Sequence, residues 1–174
     1  MEKLAREGDP KAVTLPIPMQ KRKDCDFSYA GLKTSVRTAA EKLRKERGLA
    51  STDDLSHQDK ANIAASFQHT AIRHIEQRLE RAMDILEHDR IRSLAVVGGV
   101  AANLELRSRL EALCAKRQDP WAMFVPPPRL CTDQGSMSAW AAVERLMVGS
   151  SDEPANQEVF ARYPFSTIKQ FKQV

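Results

Sequence analysis

Apolar positions fall on helical faces in two early stretches of the chain. Leu32, Val36, Ala39, Ala40 and Leu43 share one face, which predicts an amphipathic helix stopped at Gly48. After a polar loop from Leu49 to Gln58, a second and longer face runs through Ala64, Phe67, Ala71, Ile75, Leu79, Ala82 and Leu86. It predicts a long helix from about Asp59 to about Glu87 with that stripe buried. Ser56 and Asp59 have the spacing of a capping box, with Asp standing where Glu is usual. The pattern then changes. Ser93 to Val97 is a short apolar run bounded by Gly98-Gly99, as expected of a buried parallel strand. A helix is expected to resume near Ala101, burying Leu106, Leu110 and Leu113. Met123 to Val125 reads as a second strand, closed by Pro126, Pro127 and Pro128, and Gly135 to Met147 as the last helix.

Two strand–loop–helix units behind a long helix make an α/β pattern, rich in helix and with a small, incomplete sheet. Residues 1–23 contain Pro10, Pro16 and Pro18 and read as an irregular leading segment, residues 24–148 as the working lobe, and residues 149–174 as a tail. The length of 174 residues suffices for one compact domain or one lobe of a larger fold. Composition is that of an ordinary globular protein, 42% hydrophobic and 29% charged, with no apolar run of membrane-spanning length. Met1 to Pro10 has no signal-peptide core. Cys25, Cys114 and Cys131 are odd in number and far apart, which argues against a disulfide framework and for a reducing compartment. The net charge of +4 permits a polyanionic partner without requiring one. The basic clusters Lys21-Arg22-Lys23 and Arg44-Lys45-Arg47 have the ordinary reading of solvated charges.

Three constellations carry candidate chemistry. In Val97-Gly98-Gly99-Val100-Ala101-Ala102-Asn103 a strand enters two glycines and then a helix start. Such a turn lets a ligand approach the backbone, and free N–H groups at a helix N-terminus attract phosphate. Asn103, in the first turn, offers an amide to a ribose or a base; a tight turn with no ligand is the alternative. In Leu130-Cys131-Thr132-Asp133-Gln134-Gly135, Asp133 is either a helix N-cap or a carboxylate ligand for a divalent metal. Asn103 and Asp133 each follow a strand, where ligands of open α/β sheets collect. In Asp26-Phe27-Ser28-Tyr29-Ala30-Gly31-Leu32-Lys33, Ser28 offers a hydroxyl, Gly31 a close backbone and Lys33 a charge for phosphate, against an ordinary helix start. His69 and His74 do not share a helix face, and neither H-E-x-x-H nor G-x-S-x-G occurs. Cys131 has no histidine partner in sequence and is expected as a buried or semi-buried thiol, and Phe67 and Trp140 as core residues.

Together these motifs resemble one family. Asp24-Cys25-Asp26-Phe27-Ser28-Tyr29-Ala30-Gly31-Leu32-Lys33-Thr34 is similar to D-C-D-F-S-F-S-G-L-K-T. Ile63-Ala64-Ala65-Ser66-Phe67-Gln68 resembles the family's long-helix motif. Gly98 to Asn103 with Leu106-Arg107 matches G-G-V-A-A-N-x-x-L-R, and Pro127 to Met137 matches P-P-x-x-L-C-T-D-N-G-x-M. The family is the tRNA threonylcarbamoyltransferases, formerly called O-sialoglycoprotein endopeptidases, and the resemblance covers residues 1 to about 147. It implies the second lobe of an actin-like ATPase fold, built on a ribonuclease-H-like unit. It implies transfer of a threonylcarbamoyl group from threonylcarbamoyl-adenylate to the adenosine next to the anticodon of tRNA. Asn103, Gly98 and Gly99 match the family's nucleotide-binding positions, and Asp133 matches the carboxylate of its mononuclear iron or zinc site.

Tyr29-Ala30 and Gln134 depart from the family pattern in tolerable ways. The larger departure is that no H-x-x-x-H motif is present, and one carboxylate does not hold a transition metal by itself. The chain is therefore expected to be a fragment or truncated form, inactive alone. The alternative is a non-catalytic module binding a partner, a nucleotide or tRNA. The motif forms resemble the organellar branch, so a mitochondrion is expected, with a plastid or a bacterial cytoplasm as alternatives. A homodimer or a partner subunit is admissible; a membrane is not expected.

Overall fold

The computed structural model describes residues 1–50, 53–89 and 91–150. The expected tail lies, from residue 151 on, outside the described residues. The chain forms two compact units, Met1–Thr132 and a second beginning at Asp133. The first contains α1 (Glu2–Ala5), α2 (Ala30–Glu46), α3 (His57–Ile85), β1 (Ser93–Ala95), a 3-10 turn (Gly99–Ala102), α4 (Leu104–Ala115), β2 (Ala122–Phe124) and a second 3-10 turn (Pro128–Leu130). The second contains α5 (Gly135–Met147). Among the described residues no helix is long and apolar enough to cross a membrane.

The α/β reading holds. The sheet is two parallel strands in the register Ser93↔Ala122, Leu94↔Met123 and Ala95↔Phe124. Each strand is three residues long, shorter than the apolar run at 93–97 suggested. Val96 N–H still donates to the Phe124 carbonyl (2.9 Å), so pairing runs one residue past the strand. The leading segment, expected to be irregular, contains α1, whose Leu4 and Ala5 pack against Ala64 and Ala65 of α3.

α3 begins at the predicted cap. The Ser56 hydroxyl accepts the Asp59 N–H (3.1 Å) and donates to the Asp59 carboxylate (2.7 Å). Arg47, at the end of α2, pairs with the same carboxylate at 3.1 Å. Asp59 therefore ties a cap to an ion pair. The hydroxyl, then the guanidinium, outweigh burial and hold its carboxyl below the ordinary value.

The face that α3 buries most deeply is not the expected apolar stripe. Of that stripe Ala64 is buried, whereas Phe67, Ala71, Ile75, Leu79, Ala82 and Leu86 are half-buried. Ser66, Thr70, His74 and Arg78 are buried instead. The reason is the leading segment, which lies along the polar side of α3. Ser66 Oγ accepts from Val13 N–H (3.1 Å), and Asn62 Oδ1 accepts from Asp9 N–H (3.0 Å). Gly8 comes so close that a Cβ there would sit 2.1 Å from the Ala61 carbonyl oxygen. Periodicity detects where a helix is apolar, not which neighbour the chain brings to its other side.

The main apolar cluster joins Ile72 of α3 to Leu106 and Leu110 of α4, with Ile75, Leu79, Val96, Leu113 and Met123 around it. Each such buried aliphatic chain contributes about 2 kcal/mol. A bidentate ion pair locks the same two helices. Arg109 meets Glu76 at 2.7 and 2.5 Å, and Arg73 adds a contact at 3.2 Å. Burial works to raise the Glu76 carboxyl, and the two guanidinium groups overcome it, so its pKa lies below the ordinary value.

α5 occupies the predicted residues, but its expected core residue Trp140 is 65% exposed and none of its residues is buried. Among the described residues of this unit no second element offers a layer for an apolar face.

Candidate functional site

The segment that carries Ser28 is shaped by one buried cation. Arg78, 1% exposed, donates to the carbonyls of Arg22 (2.9 Å), Asp24 (2.7 Å) and Met19 (2.5 Å). Met19 takes a left-handed φ of 49°, uncommon outside glycine, which its bond to Arg78 offsets. Arg22 binds Asp24 (2.6 Å) and Asp26 (3.0 Å), so this basic residue closes a local turn. Burial tends to raise the Asp24 carboxyl, but Arg22 and the Asp26 N–H outweigh it and hold the pKa low.

One turn before Arg78 on α3, His74 completes the anchorage. It is fully buried, with Phe27 edge-on at 5.5 Å and Tyr29 at 5.4 Å. Its Nε2 accepts the Ser28 N–H at 3.5 Å. An accepting Nε2 fixes the neutral Nδ1–H tautomer. Burial, then the Arg78 charge, push its pKa below the ordinary histidine value, which keeps the ring neutral. Ser28 and Tyr29 thus reach the start of α2 in a set orientation. Gly31 follows in the first turn, with open space where a side chain would project.

The Gly98-Gly99 turn forms as predicted in outline. Gly98 has φ 88°, a region closed to most side chains, and its carbonyl accepts from Ala101 N–H (3.0 Å). The α-helix starts later than expected. Asn103 is not in its first turn but is its N-cap, with Oδ1 accepting the Leu106 N–H at 2.8 Å. Its Nδ2 donates to Gln68 Oε1 of α3 at 3.0 Å. The 3-10 turn intervenes because Gly98 and Val100 carbonyls take the Ala101 and Asn103 N–H groups first.

These elements converge on a cavity of about 310 Å³ in the first unit, with Tyr29, Phe67, Gln68, Ile75, Val100 and Asn103 in its wall. Three sequence motifs, far apart along the chain, share that wall. Tyr29 and Phe67 also line a neighbouring apolar cavity of about 580 Å³ that reaches Lys33. Phe67, expected in the core, is therefore a half-buried cavity wall. A third cavity, about 330 Å³, lies around Arg92, Arg117, Asp84 and Asp119 and contains none of the motifs. Its charges pair with one another: Arg117 with Asp84 at 2.6 Å, Arg92 with Asp119 at 3.6 Å.

Arg107 ties the glycine turn to the proline-rich loop. Its Nε donates to the Ala101 carbonyl, and its Nη2 lies 4.0 Å from Cys131 Sγ. The thiol, 1% exposed, donates toward the Pro126 and Pro127 carbonyls (3.4 and 3.5 Å). The buried thiol expected from the sequence is thus a loop anchor. Asp133 opens the second unit and is exposed. It is not the helix cap: Gln134 holds that position, with no capping bond from its side chain. Among the described residues no group of three or more His, Cys, Asp or Glu gathers to hold a metal ion. Asp133 therefore does not by itself fit a transition metal, which needs several convergent ligands.

Sequence reasoning missed Gln68, His74, Arg78 and Arg107 as shapers of this site. Gln68 and Arg107 lay within quoted motifs, which was a signal. His74 and Arg78 gave none, because their partners are residues 46 to 59 positions earlier.

The architecture defines an α/β lobe whose strand–turn–helix junction walls an apolar cavity with two amides. The chain belongs to the tRNA N6-adenosine threonylcarbamoyltransferase family: the family model described as TsaD, tRNA N6-adenosine threonylcarbamoyltransferase, matches residues 1–140. It is 42% identical over 158 residues to a probable mitochondrial tRNA N6-adenosine threonylcarbamoyltransferase of Arabidopsis thaliana, covering 88% of this chain and 32% of that protein. It is 37% identical over 172 residues to the Rhizobium leguminosarum bv. trifolii enzyme of that name, covering 96% of this chain and 44% of that protein. The Gluconobacter oxydans protein of that name is 40% identical over 166 residues, covering 95% and 44%. The chain thus spans less than half the length of these curated relatives.

Proposed function

We propose that this chain supplies the nucleotide-facing wall of a tRNA threonylcarbamoyltransferase. One observation carries the reading: Tyr29, Gln68 and Asn103, from three separate family motifs, line one cavity. Asn103 presents its amide to the nucleotide in that cavity, the Gly98-Gly99 turn just before the cavity-lining Val100 admits the phosphate close to the backbone, and Ser28 and Gly31, close in sequence to the cavity-lining Tyr29, are proposed as further contacts. In the reaction the exocyclic amine of the adenosine beside the anticodon attacks the carbamoyl carbon of threonylcarbamoyl-adenylate. The bond from that carbon to the phosphate oxygen breaks, adenosine monophosphate leaves, and the amine gives up a proton. This chain's part is to hold the adenylate so that its carbonyl carbon is presented to the tRNA.

The proposed fold context is the second lobe of an actin-like, ribonuclease-H-like architecture, with residues 24–148 as the working lobe. Asp133 is proposed as one ligand of a metal site, iron or zinc, whose other ligands are not gathered among the described residues; no step is assigned to that metal. A mitochondrial location is supported by the Arabidopsis relative's name, with a plastid or a bacterial cytoplasm as alternatives. A homodimer or a partner subunit completes the proposed assembly.

The second reading, a binding module without turnover, is favoured for the chain alone by the absence of a ligand cluster among the described residues. The first reading requires nucleotide binding, whereas the second is met by a partner, a nucleotide or tRNA. Calorimetric titration with adenosine monophosphate should show binding to the chain and its loss in Asn103→Asp, which keeps the cap acceptor but removes the amide donor. Equal affinity in the variant sinks the assignment of Asn103. Incubated with threonylcarbamoyl-adenylate and tRNA, the chain alone should leave the adenosine unmodified by mass spectrometry; modified nucleoside would refute the division between the two readings.

A further inference from the structure

The Asn103 carboxamide is a two-ended group, and its direction decides what a ligand meets. The Leu106 backbone N–H can only donate, so the atom facing it at 2.8 Å must be Oδ1. Nδ2 is then directed at Gln68, 3.0 Å away, which must answer with its oxygen. After these two bonds the carboxamide retains one N–H and one oxygen lone pair. Gln68 and Asn103 both stand in the wall of the 310 Å³ cavity, beside Phe67, Ile75 and Val100. In such apolar surroundings a few placed polar groups set ligand orientation.

We propose that Gln68 is a positioning residue: the Leu106 N–H sets the polarity of the Asn103 carboxamide, and Gln68, by accepting from Nδ2, holds that oriented amide in place toward a ligand in the cavity. The ligand's identity as a nucleotide rests on the function proposed above; the orientation does not. Gln68 lies on α3, which the Glu76–Arg109 pair and the Ile72–Leu106–Leu110 cluster lock to α4. The acceptor therefore stands on one rigid helix and the amide at the cap of another.

The role makes a chemical demand that a packing role does not: position 68 must offer an acceptor. Gln68→Glu keeps one, Gln68→Lys replaces it with a donor, and Gln68→Met removes it without adding charge. In isotope-labelled protein, the Glu variant should keep wild-type protection of the Leu106 amide against hydrogen exchange. In the Lys variant that amide should exchange about fivefold faster, since Asn103 must turn or withdraw and the cap is weakened. The Met variant should keep the Leu106 protection while its Asn103 side-chain amide resonances shift, which preserves the test if the Lys variant does not fold. Unchanged Asn103 amide resonances in the Met variant would overturn the proposal, and so would a Glu variant behaving like the Lys one. Titration with adenosine monophosphate should give near-wild-type affinity in the Glu variant and about fivefold weaker binding in the Lys variant. If the wild-type chain binds no adenosine monophosphate, the nucleotide reading fails, and the amide resonances alone decide the role of Gln68.

Discussion

The two sides of α3 are used in opposite ways. Its polar side is filled: Ser66, His74 and Arg78 are buried under residues 9–29 and bonded to them. Its apolar stripe is only partly filled: Ala64 is buried and Ile75 and Leu79 pack around the α4 cluster, but Phe67 and Ile75 stay half-buried beside a cavity. Apolar surface left around a space, with an amide at its rim, is the usual form of a small-molecule site. Buried polar side chains bonded to a neighbouring segment are the usual form of a scaffold, although His74 Nδ1 and Arg78 Nε have no hydrogen-bond partner. The helix thus braces one motif loop on one side and offers a binding wall on the other.

That contrast predicts unequal costs. The largest belongs to Arg78→Met, which leaves three carbonyls without their shared donor; we expect a loss of about 3 kcal/mol in urea unfolding. A loss no greater than that of a surface substitution would break the scaffold half of the comparison.

Glu76→Gln should cost about 2 kcal/mol near neutral pH, because a bidentate charged pair becomes a weaker neutral contact. Its pH dependence has a definite sign. Burial raises the carboxyl, Arg109 and Arg73 lower it further, and the folded pKa lies below the unfolded value. Glu76 therefore stabilises above the unfolded value, and that contribution is lost as pH falls through the folded one. Stability of the wild type should fall more steeply in acid than that of Glu76→Gln; parallel curves would contradict the pairing. His74 acts in the same direction at higher pH, since its depressed pKa means protonation favours unfolding as pH falls below the ordinary histidine range.

The smallest stability cost should be that of Phe67→Ala, about 1 kcal/mol, because the ring borders a cavity on one side. Its effect on ligand affinity should exceed its effect on folding. If Phe67→Ala destabilises as strongly as Arg78→Met, the stripe is core and the cavity reading falls.

The sequence made much of this frame legible where the signals were local. Ser56 and Asp59 announced the start of α3, Gly98 the turn after β1, and Gly135 and Met147 the bounds of α5. What stayed hidden depended on distant neighbours. Arg78 carried no local signal, because its partners in residues 19–24 lie far back along the chain. Trp140 looked like core, yet α5 buries nothing. Asn103 was found through its motif and its cap bond is local, but the Gln68 contact behind it needed α3 and α4 side by side.

The most direct test maps where adenosine monophosphate binds. Amide resonances of the labelled chain should shift on titration at Tyr29, Gln68, Val100 and Asn103 and stay still around Arg92 and Arg117. Shifts confined to the latter pair's cavity, or absent from Asn103, would contradict the account.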